Sequence, residues 1–219
     1  MSFCTRFGWG NALMFSGLAP QYFFFDFGFK ESFVFFVIFV LSSFFLYKNN
    51  REFFLLNFFF IPIGFIPLYS YPNLFGIWLC SFLYIAFILA IYDAKYLAVP
   101  AWLNYLLVIE AFCSFFISSF VLDFFDILCE AFALVGLLAI LQVVIRTALK
   151  REALGDGDLV FVFALGIAFG FFGGLEILFF GSLVGLLFIL YKRKRKLLPM
   201  ITFLWIGICL KILSGLYDV

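Results

Sequence analysis

Two aspartates stand where chemistry could use them: Asp93, in Ile91-Tyr92-Asp93-Ala94-Lys95, and Asp158, in Gly155-Asp156-Gly157-Asp158-Leu159. Each lies at the edge of a long apolar run, where an ionised group is costly and calls for a reason. Two carboxylates held close together cannot both ionise, so the pair shares a proton and offers a base and an acid at once. One member can activate water while the other protonates, which is what amide hydrolysis needs. The chain contains no histidine, which excludes Ser-His-Asp and Cys-His catalysis and every His-containing zinc site. Cys4, Cys80, Cys113, Cys129 and Cys209 are scattered singly with no C-x-x-C pair, and read as packing residues rather than a metal site or a disulfide framework. A carboxylate pair calls for no cofactor and no metal.

Gly155 and Gly157 flank Asp156 where the chain returns to apolar sequence. Lacking Cβ atoms, they would let an extended substrate approach the backbone beside Asp158. The same residues also read as an ordinary glycine turn closed by an Asp N-cap, and taken alone they do not choose between the two.

The elements that must position these groups follow from composition. Hydrophobic residues make up 67% of the 219 and charged residues 12%, with a mean hydropathy of +1.20, far outside the soluble range. The 39 phenylalanines read as lipid-facing residues. Cutting the chain where charge, Gly, Pro or Asn interrupts the apolar runs predicts an all-α polytopic bundle of eight transmembrane helices. They span about 32–47, 53–70, 74–93, 100–122, 127–147, 158–173, 175–191 and 198–217. Residues 1–31 form an N-terminal segment, interfacial or periplasmic, in which 7–25 could be a ninth span. Residues 32–219 form one transmembrane domain. Eleven of the 14 basic residues fall in alternate loops and their edges: Lys48 and Arg51; Lys95; Arg146, Lys150 and Arg151; and Lys192 to Lys196. The loops between them and their edges carry Asp123, Asp126, Glu130 and Glu176. Because Lys and Arg are retained on the cytoplasmic side of short loops, Asp93 and Asp158 are predicted at one depth on the cytoplasmic face. Glu110 and Lys211, inside predicted spans, read as members of buried pairs or as snorkelling side chains.

The segment Asp93-Ala94-Lys95-Tyr96-Leu97-Ala98-Val99-Pro100, with Asn104 shortly after, resembles the signature of the type IV prepilin peptidase and preflagellin peptidase family. The stretch Gly155-Asp156-Gly157-Asp158, followed by Ala164-Leu165-Gly166 and Gly170, resembles that family's GxGD motif and the small-residue helix after it. Lys196-Leu197-Leu198-Pro199-Met200 is similar, more weakly, to the basic residue and Pro before the family's last span. The likeness covers roughly residues 74–205. It implies an intramembrane aspartic endopeptidase with Asp93 and Asp158 as catalytic residues and with Gly155, Gly157, Asp156, Lys95 and Pro100 as active-site support. Its substrate would be the leader of a prepilin or pseudopilin, as in type IV pilus and type II secretion systems. Its location would be the bacterial inner membrane, with the lipid bilayer as surroundings and no nucleic acid as partner. The family's longer members carry a cytoplasmic insertion with C-x-x-C pairs and a G-S-F-L-N stretch tied to N-methylation. Here that loop is only Tyr47-Lys48-Asn49-Asn50-Arg51-Glu52, so the resemblance extends to cleavage and not to methyl transfer.

Two other readings fit part of the pattern. Presenilin and signal-peptide-peptidase proteins also pair Tyr-Asp with GxGD, but their Pro-Ala-Leu motif is missing, since Met200 follows Pro199. A small transporter could line an ion path with Asp93, Glu110 and Asp158, although the two halves show no internal repeat.

Overall fold

A computed structural model describes residues 74–117, 124–149, 155–192 and 198–215, together with the single positions 40, 60, 63, 64 and 67. Among the described residues the ordered elements are five helices: α1 (Leu74–Tyr96), α2 (Ala101–Ile117), α3 (Phe124–Leu149), α4 (Asp156–Lys192) and α5 (Met200–Gly215). Three of them, α1, α3 and α4, are long and apolar enough to cross a membrane. The chain is thus a helical membrane protein, but eight spans are not what the described residues show. The predicted spans 32–47 and 53–70, the segment 1–31 with its optional span, and the basic positions 48, 51, 150, 151 and 193–196 lie outside the described residues. The predicted 74–93, 100–122, 127–147 and 198–217 correspond to α1, α2, α3 and α5 with boundaries moved by a few residues.

The largest difference concerns 158–173 and 175–191. They fall in one helical run, α4, whose 37 residues would measure about 55 Å if straight, well beyond a hydrocarbon core of about 30 Å. The run is broken at Gly170, where φ is 71° and ψ is −179°. The predicted boundary between the two spans fell at residue 174, yet the glycine there is only permitted, not obliged, to leave the helix. Only Gly170 takes the positive φ among the glycines described.

Contacts on either side fix the direction of the two arms. Along the first, Asp158 interacts electrostatically with Asp93 and Phe169 stacks edge-on against Phe82, so this arm runs antiparallel to α1. Along the second, Glu176 pairs with Lys211, while Phe188 meets Phe203, so it runs antiparallel to α5. Thr202 touches Asp93, which puts Phe203 and Phe188 at the same end as Asp158. The chain therefore reverses at Gly170. The Phe171 amide that opens the second arm donates to Glu130 Oε2 of α3 at 3.0 Å, capping a helix start that would otherwise leave bare N–H groups in an apolar setting.

α1 is the most buried of the three long apolar helices. Buried residues make up 72% of its apolar window, against 17% for α3. Lipid is as apolar as leucine, so helices in a bilayer associate through close packing, small residues and hydrogen bonds rather than through water exclusion. α5 shows this directly. A Cβ at Gly207 would lie 2.5 Å from the Ile177 carbonyl oxygen and 3.0 Å from the Gly181 nitrogen, so the α4 and α5 backbones meet with no side chain between them. Indole N–H groups tie the helices further: Trp78 donates to the Glu110 carbonyl at 2.7 Å and Trp205 to the Leu83 carbonyl at 3.2 Å.

α1 ends without glycine. The Leu97 amide bonds back to the Asp93 carbonyl at 2.9 Å, and Leu97 itself takes a left-handed φ of 51°, a conformation that usually falls to Gly or Asn at a helix end. That geometry costs a non-glycine residue roughly 1–2 kcal/mol, offset in a Gly replacement by about 0.5–1 kcal/mol of extra unfolded-chain freedom. Leu97→Gly is therefore expected to raise the melting temperature in detergent slightly, and Leu97→Val to lower it. A thermal melt in which Gly destabilises as much as Val would refute the strain.

Candidate active site

Asp93 occupies the last turn of α1, three residues before its end, and is only 6% exposed. Its Oδ2 accepts the backbone amide of Thr202 at 3.2 Å. Thr202 lies in the opening turn of α5, begun by Pro199, whose carbonyl accepts the Phe203 amide at 3.4 Å. The Thr202 hydroxyl in turn donates to the Ala90 carbonyl at 2.8 Å, one turn before Asp93. The carboxylate thus sits at the C-terminal end of its own helix but against the N-terminal end of another.

Asp158 is the third residue of α4 and half-buried. Its Oδ2 accepts the Gly155 amide at 2.9 Å while its own amide donates to the Gly155 carbonyl at 3.0 Å. The carboxylate reaching back to the cap amide is one half of a capping box; the other half is missing because Gly155 has no side chain, and the Asp158 amide goes to its backbone carbonyl instead. The alternative reading of an Asp N-cap does not hold, since Gly155 occupies the cap position. Each aspartate therefore accepts one backbone amide at a helix N-terminus, and the two side chains lie within electrostatic range of each other. A helix C-terminus beside one and an N-terminus beside the other would have made the pair asymmetric; the docking of α5 removes that distinction.

The other residues singled out by sequence divide into those at the site and those beside it. A Cβ on Gly155 would stand 3.6 Å from Asp158 Oδ2, and one on Gly157 would stand 3.3 Å from Asn104 Nδ2. Asn104 is 3% exposed, and its Nδ2 donates to the Gly157 carbonyl at 2.9 Å. Pro100 starts α2 by accepting the amides of Leu103 at 3.0 Å and Asn104 at 3.3 Å. Asp156 is exposed at the first position of α4. Lys95 is exposed, with its ammonium 5.5 Å from the centre of the Tyr96 ring.

The remaining charges inside the spans are engaged elsewhere. Lys211 forms an ion pair with Glu176, but the pair is partly exposed rather than buried as expected. Glu110 accepts from the Ser81 hydroxyl on α1, a bond between neighbouring helices rather than a step on a path joining the two aspartates. Among the described residues no group of three or more His, Cys, Asp or Glu is placed to hold a metal ion.

Thr202 was not legible as a site residue. The one available signal was Pro199, which cannot continue a preceding helix but readily starts one, and so leaves free amides a few residues later.

One buried and one half-buried carboxylate thus lie within electrostatic range of each other at one end of an apolar helical bundle. The Type IV leader peptidase family matches residues 80–190, just over half of the chain and including both aspartates and Asn104, and the chain belongs to that family. It is a leader-peptidase-like protease. No curated protein and no solved structure matches it.

Proposed function

We propose that this protein is an aspartic endopeptidase that removes the leader peptide of prepilins or pseudopilins at the cytoplasmic face of a bacterial inner membrane. The observation that carries the reading is that Asp93 and Asp158, drawn from separate helices and each anchored by a backbone amide, lie within electrostatic range of each other. The basic residues gathered in the loops at that end of the sequence topology support the cytoplasmic face.

In this mechanism one carboxylate is ionised and its partner protonated. The ionised group takes a proton from a water molecule, whose oxygen bonds to the scissile carbonyl carbon. The partner gives its proton to the carbonyl oxygen. The tetrahedral adduct then collapses: the first carboxyl passes its newly gained proton to the leaving nitrogen, the C–N bond breaks, and the second carboxylate recovers its proton from the new acid group. No redox change and no outside reactant beyond water is involved.

The test is co-expression with a prepilin or pseudopilin, comparing leader removal by wild type, Asp93→Asn and Asp158→Asn in isolated membranes. Full cleavage by either variant would overturn the proposal. Because the two carboxyls and water supply every acid, base and nucleophile in these steps, EDTA is expected to leave cleavage by purified protein unchanged. Inhibition by the chelator that added Zn²⁺ reverses would contradict the mechanism.

A further inference from the structure

Asn104 is the one buried polar side chain at the site to which the carboxylate mechanism gives no part. It is 3% exposed; its Nδ2 donates to the Gly157 carbonyl at 2.9 Å, and its Oδ1 is buried with no hydrogen-bond partner. A buried acceptor left unmade costs about 1–3 kcal/mol, whereas an apolar side chain of similar size would carry no such penalty. As a filler of space, therefore, asparagine is a poor choice here. Its donor must supply the use.

The Gly157 carbonyl belongs to the same peptide plane as the Asp158 amide. That plane is held from both sides, by Asn104 on its oxygen and by the Gly155 carbonyl on its nitrogen. Asn104 lies in the first turn of α2, its own amide bonded to Pro100, and so is tied to the short connection that leaves Asp93. One side chain thereby links the segment following the first aspartate to the backbone carrying the second.

We propose that Asn104 is a positioning residue of the peptidase site, whose Nδ2 clamps the Gly157–Asp158 peptide plane and so sets the direction in which the Asp158 carboxylate faces Asp93. This rests on the dyad reading and adds to it a residue that acts through another. Misplacing a reacting group by about 1 Å can cost on the order of 10²-fold in rate, which is the effect expected when the clamp is lost.

The experiment is steady-state cleavage of a prepilin by the purified full chain, with melting temperature measured on the same samples. Asn104→Leu fills the space without a donor. It is expected to melt at or above the wild-type temperature, to lose about 10²-fold in kcat, and to keep KM within about threefold. A kcat within twofold of wild type would overturn the proposal, as would a loss that appears entirely in KM. Should Asn104→Leu fail to fold, Asn104→Ala, Gly157→Ala and the double variant decide the matter. A Cβ at Gly157 presses on Asn104 Nδ2 at 3.3 Å, so the two losses should be non-additive, and strict additivity would overturn the clamp. Asp93→Asn and Asp158→Asn are run beside these. If they remain active, the dyad reading fails; if they are inactive while Asn104→Leu is fully active, only the role of Asn104 fails.

Discussion

Replacement of either aspartate by asparagine is expected to reduce leader cleavage by on the order of 10³-fold or more while leaving the protein folded. General acid–base groups contribute about 10²–10⁴-fold each, and in a pair that shares one proton the loss of one member removes both functions, so the two single variants and the double variant should be about equally inactive. The structure explains why the fold should tolerate the change. At position 93 an asparagine oxygen can still accept the Thr202 amide, and at position 158 it can still accept the Gly155 amide. What is lost is a carboxyl that can exchange a proton. Cleavage rates of the three variants, measured beside their melting temperatures, check this. A double variant much slower than both singles would show that the residues act independently.

The second large effect is expected at Gly207, far from either carboxylate in sequence. Adding a methyl there places it 2.5 Å from the Ile177 carbonyl oxygen and 3.0 Å from the Gly181 nitrogen. Both are backbone atoms, so the contact cannot be relieved by rotating a side chain, and α5 must move away from α4. Overpacking by one methyl costs roughly 1–3 kcal/mol, and Gly207→Leu should cost more. The same displacement acts on the site, since α5 carries Thr202 against Asp93 and Trp205 against Leu83. Gly207→Ala is thus expected to lower both the melting temperature and kcat. Gly136→Ala on α3, where a Cβ meets nothing within 4 Å, should do neither. Equal behaviour of the two variants would disprove the close approach.

Much of the site could be read from sequence because its chemistry resides in a few residue types under strong constraint. An aspartate at the rim of an apolar run demands an explanation wherever it occurs, and two of them with glycines beside the second restrict the choice of chemistry. The helices containing them were legible because α1 and α4 are long apolar runs with charge at an end, Lys95 closing the first and Asp156 opening the second. What could not be read were features that depend on which surfaces meet. Gly170 and Gly173-Gly174 look alike as sequence, and only the packing of α3, with Glu130 waiting to accept the Phe171 amide, selects the first as the point of reversal. An Asp N-cap was one of two readings the turn left open, because Asp commonly caps helices. The chain instead starts α4 two residues before Asp158 and uses its carboxylate from the third position. Thr202 was invisible because it contributes a main-chain N–H, which every residue but proline possesses.

The bond from the Thr202 amide to Asp93 joins groups separated by 109 residues. As the chain emerges and inserts, Asp93 enters the bilayer first, and α2, α3 and both arms of α4 follow before its partner exists. The order of synthesis therefore leaves the proposed protease site incomplete until α5 has found its place.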